Sequence, residues 1–535
     1  MESINITNGR EEVGSGVGAA LLLVLLYGVL PLGSSAVLMI ILRRWRITAH
    51  VPGQEKRRFP PGPFAWPVIG HLHLLVHAPD QVIRDLSRRY GHILGLRLGK
   101  QLCVVISSPQ LAKEVLQTHD KIFADRPPYQ FNEHLLYGQN TDITFSSQCP
   151  EWRQKRKICT VGLFTAKRMQ DLEHVRREEV GALLRRLQDL SEGATQPVDI
   201  GWCVGEMAAH VVMRLLQSEG SAQAGAENLV QLVRELEREI ASPTLGDIIP
   251  ALSWLPLPRL RRMRRLRDRF DAALSLLIAQ RKQQSPTASS YDDLLQSILA
   301  KEVDPTTKMK ASSSPQDTLT LEDIKCIMLD MLGAGINTTS LTLEWAMAEL
   351  LKNPHCMQRL KREIEEMMDG NVRQITDVDI MKLSYLKCVV KEILRLHPVV
   401  PFLVPHFSAE ECKVEGYTIP ARTIIFVDVW AIGRDEGLWA NAEEFRPERF
   451  EDKEVDVKGQ HFELLPFGSG RRICVGMPLA LSIIQVTLVN LVNHFNWDLP
   501  FGQTASSMDM KEKSGMIITK KATPMMAIPR PCFSY

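Results

Sequence analysis

The chain has 535 residues, and its 64 Lys and Arg side chains nearly balance 62 Asp and Glu side chains, which leaves a net charge of +2. With 24% charged and 45% hydrophobic residues, the composition argues against a nucleic-acid-binding protein and against a disordered chain. The ten cysteines are scattered without a paired spacing, which disfavours a disulfide scaffold and a structural zinc site.

An uncharged segment of thirty residues lies between Glu12 and Arg43. Because a bilayer span needs roughly 20 residues, we predict a retained transmembrane anchor over 19–42 rather than a cleaved signal peptide. Positive charge follows the segment, which predicts a short lumenal N-terminus over 1–18 and a cytosolic body. Asn5 begins a glycosylation sequon in this N-terminus, and whether it is modified stays open.

A basic and proline-rich hinge is predicted over 43–63, because proline fixes φ and removes hydrogen-bond donors. Residues 64–535 follow as one body. The alternating apolar residues around Gly99-Lys100 predict a β-hairpin. Helical periodicity dominates three long stretches, 150–284, 320–370 and 380–396. The expected fold class is therefore mainly α with a small β portion.

Two features of the central region leave alternatives open. The apolar stretch IIPALSWLPL at 248–257 is either a segment that dips into the membrane or a buried connector. The following stretch at 258–270 carries seven arginines, which favours a solvated helix face over a site for anionic lipid or an acidic partner.

A long helix is predicted from Thr320 to Asn353-Pro354, with a capping box formed by Thr320 and Asp323 at its start. Residues 333–340, GAGINTTS, are weak or indifferent helix formers apart from the alanine, and each glycine costs about 1 kcal/mol relative to alanine. We therefore expect the helix to be locally opened in this stretch for a functional reason.

The stretch PFGSGRRICVGMPLA at 466–480 carries the strongest chemical signal. Its glycines match neither a dinucleotide fingerprint nor a P-loop, and no βαβ unit surrounds them. The stretch presents Cys474 just before a predicted helix, whose N-terminal partial positive charge favours a thiolate. Gly470 and Gly476 let the backbone approach a flat group closely.

The pattern Phe467-x-x-Gly470-x-Arg472-x-Cys474-x-Gly476 resembles the haem-binding signature of the cytochrome P450 monooxygenases. The resemblance implies haem b as the cofactor, with Cys474 as the axial ligand of its iron. It also implies that Arg472 contacts a haem propionate and that Phe467 packs against the ligand loop.

Further motifs appear in the family's order, from the hinge to about residue 529, and look most like the plant-type microsomal branch. The resemblance implies that 64–535 is a haem-thiolate catalytic domain with a cytochrome P450 fold. Trp152 and Arg156, one helical turn apart, resemble the pair that holds a haem propionate, and His406 stands where relatives have a basic propionate contact. A structural triad behind the haem loop is expected from Glu392, Arg395 and Arg449.

Thr338, in the stretch AGINTT at 334–339, matches the threonine that lies against the oxygen substrate in this family. Asn337 stands where the family usually carries Asp or Glu, and an amide cannot relay a proton by ionising. We expect that Asn337→Asp raises the coupling of electron consumption to product. An unchanged coupling ratio would show that this position does not limit turnover.

The resemblance implies a membrane-anchored monooxygenase that hydroxylates a small lipophilic metabolite of the phenylpropanoid, flavonoid, terpenoid or fatty-acid type. Electrons are expected from an NADPH-cytochrome P450 reductase, which carries the flavins and binds NADPH, and the implied location is the endoplasmic reticulum membrane. Candidate reductase contacts are Arg153, Lys155 and Lys157. Substrate contacts are expected from 129–147, the groove of the long helix, 399–404 and 514–518.

Two other classes stay open. A haem-thiolate isomerase or dehydratase would share the Cys474 loop without needing a reductase, and Asn337 is its best support. A haem sensor or carrier would have no need of Thr338 or of apolar contact segments. Product formation without NADPH and reductase separates the isomerase from the monooxygenase.

Overall fold

The structure is a computed structural model. It describes residues 59–67, 69–75, 79–191, 196–216, 222–241, 243–249, 252–283, 293–302, 318–370, 373–500, 502–515 and 517–532. The predicted lumenal N-terminus with Asn5, the predicted anchor over 19–42 and the predicted hinge up to residue 58 lie outside the described residues.

Helices form most of the described chain. In chain order, the α-helices are α1 (Pro79–Tyr90), α2 (Pro109–Lys113), α3 (Asp120–Phe123), α4 (Gln130–His134), α5 (Pro150–Lys157), α6 (Ala166–Asp171), α7 (Glu173–Ser191), α8 (Ile200–Leu216), α9 (Ala222–Ile240), α10 (Leu245–Ile248), α11 (Pro258–Gln283), α12 (Leu294–Leu299), α13 (Leu321–Lys352), α14 (Pro354–Met368), α15 (Asp377–Ile380), α16 (Ser384–Leu396), α17 (Val429–Gly433) and α18 (Met477–His494).

The strands are short and form small sheets. They are β1 (Ile93–Leu98), β2 (Gln101–Ile106), β3 (Val198–Asp199), β4 (His406–Phe407), β5 (Cys412–Val414), β6 (Tyr417–Ile419), β7 (Ile424–Val427), β8 (Phe495–Asp498), β9 (Glu512–Ser514), β10 (Thr519–Lys521) and β11 (Met526–Pro531). The largest described sheet has the order β1-β2-β7-β4, and a second has the order β3-β11-β8. The expected fold class, mainly α with a small β portion, is confirmed.

The predicted hairpin is confirmed. Strands β1 and β2 pair antiparallel with Leu98 opposite Gln101, so that Gly99 and Lys100 form the two-residue turn. The end of the hinge lies against this hairpin, because Gly95 N–H donates to Pro61 O at 2.7 Å. A Cβ on Gly62 would lie 1.9 Å from Gly95 O, so glycine is required for this close approach.

Helix α13 runs through the core and begins as predicted. Thr320 Oγ1 accepts from Asp323 N–H at 3.1 Å, and the Asp323 carboxylate accepts from Thr320 N–H at 3.0 Å. This reciprocal capping box satisfies two backbone donors that the first turn leaves without partners. The helix ends at Lys352 with Asn353 as its C-cap residue.

The expected local opening of α13 at 333–340 is wrong, since the helix is continuous through this stretch. Its glycines instead allow neighbouring helices to approach. A Cβ on Gly333 would lie 3.0 Å from Leu236 Cδ2 of α9, and a Cβ on Gly335 would lie 3.2 Å from Val212 Cγ2 of α8. The weak helix formers therefore reflect close packing between helices.

A buried charged triad joins α16 to the segment before the Cys474 loop. Arg395 donates to both oxygens of Glu392, at 2.7 and 2.8 Å, and Arg449 Nε donates to Glu392 Oε1 at 3.0 Å. The side chains of Glu392 and Arg395 are fully buried. The structure thus brings together the three residues expected to form a scaffold.

The apolar stretch at 248–257 is not a buried connector over its described residues. Trp254 is 75% exposed there. In α11, Leu260, Met263 and Leu266 are buried, whereas the intervening arginines lie on the outside. The arginine-rich stretch is therefore one face of an amphipathic helix, in agreement with the favoured interpretation.

Two described helices, α13 and α18, are long and apolar enough to cross a membrane by length and composition alone. In both, 61% of the most apolar 18-residue window is buried inside the protein. Such burial is typical of core helices in a globular domain.

Candidate functional site

The Cys474 loop is a tight turn that ends at the N-terminus of α18. Cys474 N–H donates to Phe467 O at 2.9 Å and thereby closes the loop, and Gly476 is the N-cap residue of the helix. Gly470 has a φ of +64°, and a Cβ there would lie 2.0 Å from Leu116 O. Glycine is therefore required at position 470 because the loop packs closely against the backbone at Leu116.

The Cys474 thiol lies deep in the protein but faces open space. All ten cysteines belong to the described residues, and only Cys474 is exposed. Burial raises the pKa of its thiol, whereas the backbone N–H groups of Gly476 and Met477 and the charge of Arg156 lower this pKa. Burial is the largest influence and the pKa of the thiol is raised overall, whereas the three lowering influences favour the thiolate, which is the form that binds a metal.

Arg156, Trp152 and Arg472 meet beside the loop. Arg156 donates to the carbonyl of Ile473, the residue before Cys474. The Arg472 guanidinium lies 3.9 Å from the centre of the Trp152 ring. Trp152 Nε1 donates to Ile143 O at 2.9 Å. The two motifs that the sequence separates by more than 300 residues therefore form one cluster.

Arg126 is a member of the same cluster that the sequence did not reveal. Its guanidinium is buried and donates to Thr144 O at 2.9 Å and to Val404 O and Pro405 O at 2.7 Å each. An arginine before two prolines is not a distinctive pattern, and only the fold brings it to residues 404 and 405.

His406 follows directly in β4. Its Nδ1 lies 2.9 Å from Phe123 O. Burial lowers the pKa of His406, and the charges of Arg126 and Arg472 lower it further. His406 is therefore neutral near pH 7, and its Nδ1–H donates to the Phe123 carbonyl.

The cluster contains more positive charge than the protein neutralises. The guanidinium groups of Arg126, Arg156 and Arg472 donate to backbone carbonyls, and none of them forms an ion pair with a carboxylate of a described residue. Burial and the charge of Arg156 lower the pKa of Arg472 to about 10. The charges of Asp142 and Asp125 oppose this shift, but neither carboxylate forms an ion pair with the three guanidinium groups. Such a cluster fits a ligand with two carboxylates, as in haem, since buried charges need partners.

One face of α13 also borders open space. Ala334 is exposed and Thr338 is half-buried, although most of the residues around them are buried. Thr338 Oγ1 donates to Ala334 O at 2.6 Å. Asn337, on the neighbouring face, is buried, and its Nδ2 makes no hydrogen bond of good geometry with a described residue. Thr338 is thus the accessible residue of the pair, and Asn337 is not.

One predicted reductase contact is wrong. Lys155 is buried, and its Nζ donates to Asp323 at 2.7 Å and to Asn140 O at 3.2 Å, so it cannot dock a partner. Its ammonium ties α5 to the start of α13. Arg153 and Lys157, on the other faces of α5, are exposed.

An apolar cavity lies between the β1–β2 sheet, the chain before α4 and the region from the end of α9 to α10. Its lining includes Tyr129, Phe131, Ile240, Phe426 and Ile517. Two segments expected to touch substrate, 129–147 and 514–518, therefore meet at one cavity. Such a lining suits a small lipophilic molecule, and neither Cys474 nor Thr338 is among the residues that line this cavity.

A single accessible thiol at a helix N-terminus, beside a buried cationic cluster in a mainly helical domain, is the arrangement of a haem-thiolate protein. The family model for cytochrome P450 matches residues 60–526. A flavonoid 3′-monooxygenase of Crocosmia x crocosmiiflora is 37% identical over 487 residues, which cover 89% of this chain and 93% of that relative. An amorpha-4,11-diene 12-monooxygenase of Artemisia annua is 36% identical, with coverages of 88% and 92%.

A solved structure with a similar fold belongs to the same family. A zebrafish cytochrome P450 solved with progesterone matches with a TM-score of 0.71 and 26% identity, covering 84% of this chain and 99% of that one. The chain therefore belongs to the cytochrome P450 family and is a plant-type monooxygenase. Proteins of this family bind haem through a cysteine.

Proposed function

We propose that this chain is a membrane-anchored monooxygenase that holds haem b through Cys474 and hydroxylates a small lipophilic metabolite. The observation that carries the proposal is the Cys474 thiol, which is accessible, lies at the N-terminus of α18 and receives stabilisation from Arg156. The haem would supply the activation of dioxygen, and the electron density of its thiolate ligand favours O–O cleavage.

The other proposed roles fall to side chains around the haem site and on α13. Arg126, Arg156 and Arg472 are proposed to hold the haem propionates, because these guanidinium groups supply several donors and lack a carboxylate partner. The single N–H groups of Trp152 and of neutral His406 already donate to Ile143 O and Phe123 O, so these two side chains are proposed to line the propionate site without donating to it. Phe467, Gly470 and Gly476 shape the ligand loop. Thr338 lies on the accessible face of α13 and would direct its hydroxyl group, as a proton donor, towards the oxygen substrate.

The experiment combines the full-length protein with an NADPH-cytochrome P450 reductase, NADPH, isotopically labelled dioxygen and a panel of flavonoids, sesquiterpenes, phenylpropanoids and fatty acids. We expect a product that contains one labelled oxygen atom and forms only when NADPH and reductase are present. Product formation in their absence would contradict the proposal and support the isomerase or dehydratase. The absence of turnover across the panel would support a sensor or carrier.

The substrate class is proposed from two observations. The lining of the cavity is almost entirely apolar, with Gln101 and Asp247 among its few polar residues. Two of the relatives are a flavonoid 3′-monooxygenase and an amorpha-4,11-diene 12-monooxygenase. We therefore propose a flavonoid or terpenoid in preference to a fatty acid, because its rigid rings lose little conformational entropy on binding.

Membrane contact is proposed for one face of the domain as well as for the anchor. Phe64, Trp66 and Trp254 are 77%, 56% and 75% exposed. Their segments meet at the β1–β2 turn, since Gly70 bridges Leu98 and Ile248 lies against Gly99. Aromatic residues of this kind favour the membrane interface. These residues support contact with a membrane, which is proposed to be that of the endoplasmic reticulum. The reductase is proposed to dock on the cytosolic side near Arg153 and Lys157.

The Thr338 hydroxyl gives a prediction for coupling. Thr338→Ala is expected to lower the product formed per NADPH by about tenfold or more, with a matching rise in peroxide, because a positioned proton-transfer group contributes ~10² to 10⁴-fold. The measurement is the ratio of product to NADPH consumed. Thr342→Ala removes an equivalent bond, from Thr342 Oγ1 to Thr338 O at 2.8 Å, but from a buried position, and should leave the ratio unchanged. Equal ratios in Thr338→Ala and wild type would contradict the assigned role.

A further inference from the structure

Helix α9 crosses α13 beside the residue where the family's usual acid is missing. The contact begins one turn earlier, where Leu236 of α9 lies over Gly333 of α13. Gly333 and Asn337 share a helix face because they are four residues apart. The residue that follows Leu236 on α9 is Glu237, which the crossing brings to Asn337.

The two side chains have complementary groups. Glu237 is half-buried as a whole, but its Oε1 is fully buried and makes no hydrogen bond of good geometry within the described residues. The same is true of Asn337 Nδ2. A buried acceptor and a buried donor therefore face each other across the contact between α9 and α13, and each lacks another described partner.

Opposing influences act on the Glu237 carboxyl. Burial raises the pKa of Glu237 above its usual value, and the Asn337 amide and the charges of Lys520 and Arg234 oppose that rise. Lys520 belongs to β10, and Arg234 lies on α9 with its guanidinium 4.3 Å from the centre of the Trp202 ring. The carboxyl therefore lies beside a buried amide and within the electrostatic influence of two basic side chains.

We infer that Glu237 supplies the acid that position 337 lacks, by taking protons from bulk water and passing them through water held by Asn337 towards Thr338. The inference rests on the proposed monooxygenase function. Inserting one oxygen atom into substrate and releasing the other as water uses two electrons and two protons per dioxygen. The reductase supplies the electrons. Glu237 is a positioning residue for the protons, because Glu237 acts through Asn337 and not directly on the oxygen substrate.

The test begins with Glu237→Gln, which keeps the size of the side chain and removes its proton. We expect the product formed per NADPH to fall at least threefold at neutral pH and peroxide to rise by the matching amount. Glu235→Gln is the matched control, because Glu235 lies on the same helix but pairs with Arg269 at 2.5 Å. It should behave as wild type. Equal coupling in Glu237→Gln and wild type would overturn the inference.

An exchange of the two groups distinguishes proton supply from a structural role. Adding Asn337→Asp to Glu237→Gln returns one carboxyl to the site from α13, and coupling is expected to recover to at least half of the wild-type ratio. Asn337→Asp alone places two carboxyls side by side, so its gain should be small. Failure of the double variant to recover, together with unchanged folding, would contradict proton supply.

A spectroscopic readout does not depend on turnover. In the holoenzyme, the infrared band of a protonated carboxyl should disappear as the pH rises through a pKa above that of free glutamate, and this band should be missing in Glu237→Gln. Wild-type coupling should fall over the same pH interval, because only the protonated carboxyl donates. A wild-type protein that yields no labelled product, but still shows the band, would refute the proposed function and leave the site intact.

Discussion

Cys474→Ser is expected to fold and to lose monooxygenase turnover by at least about 10³-fold, the scale that follows the loss of one member of a catalytic unit. Serine has nearly the same shape, and the loop is closed by the backbone bond from Cys474 N–H to Phe467 O, which the substitution keeps. An alcohol at this position does not ionise near pH 7, so it cannot supply the electron density of a thiolate. Turnover and the thermal midpoint of unfolding are the two measurements.

The matched control is Cys532→Ser, which changes a partly buried cysteine at the other end of the C-terminal region. Its backbone N–H donates to His494 O, and its thiol has no place in the site. We expect wild-type turnover in this variant. Substantial turnover in Cys474→Ser, or an equal loss in both variants, would contradict the role of Cys474.

Glu392→Ala is expected to lower the free energy of unfolding by about 3 to 5 kcal/mol, because it leaves the fully buried Arg395 guanidinium without its carboxylate. A domain has roughly 5 to 15 kcal/mol in total, so this loss removes a large part of its stability. The same carboxylate accepts from Arg449 Nε and from Arg446 N–H, at 3.0 and 2.7 Å, so the substitution also releases the chain that precedes the Cys474 loop. The midpoint of urea unfolding and the retained haem are the measurements.

A surface pair provides the comparison for Glu392. Glu173 lies 3.5 Å from Arg177 on α7, with the arginine side chain 46% exposed. Glu173→Ala should cost less than about 1 kcal/mol, since solvent screens such a pair. A similar cost for both substitutions would show that the triad does not stabilise the domain as described.

Local signals in the sequence were sufficient for several elements. The capping box of Thr320 and Asp323 predicted the start of α13, and Gly99-Lys100 between alternating apolar residues predicted the β1–β2 hairpin. Both depend on residues within a few positions of one another. The signature around Cys474 was equally local, because one loop contains all of its residues.

The remaining parts of the site depend on contacts between distant residues. Arg126 donates to the carbonyls of Val404 and Pro405, which lie 278 and 279 positions away in the sequence. A short sequence pattern cannot predict a contact over such a separation. Glu237 meets Asn337 across two helices. Lys155 looked like a surface charge by sequence, but its partner Asp323 is 168 residues away. Long-range packing decides these positions, whereas sequence patterns describe neighbours.

The wrong expectation for α13 has a physical explanation. The weak helix formers at 333–340 indicated an opened helix. In the structure, Leu236 and Val212 instead fill the space beside Gly333 and Gly335, where a larger side chain would lie. Tertiary contacts therefore offset the low helix propensity of glycine. The same close approach brings α9 to Asn337, so the glycines bear indirectly on proton delivery.

The central claim is that the Cys474 thiolate binds the haem iron, and the carbon monoxide difference spectrum of the reduced protein tests it most directly. We predict the strongly red-shifted Soret band that thiolate ligation produces, present in wild type and Cys532→Ser and absent from Cys474→Ser. A band at the unshifted position in folded, haem-loaded wild-type protein, or a red-shifted band that persists in Cys474→Ser, would contradict the account.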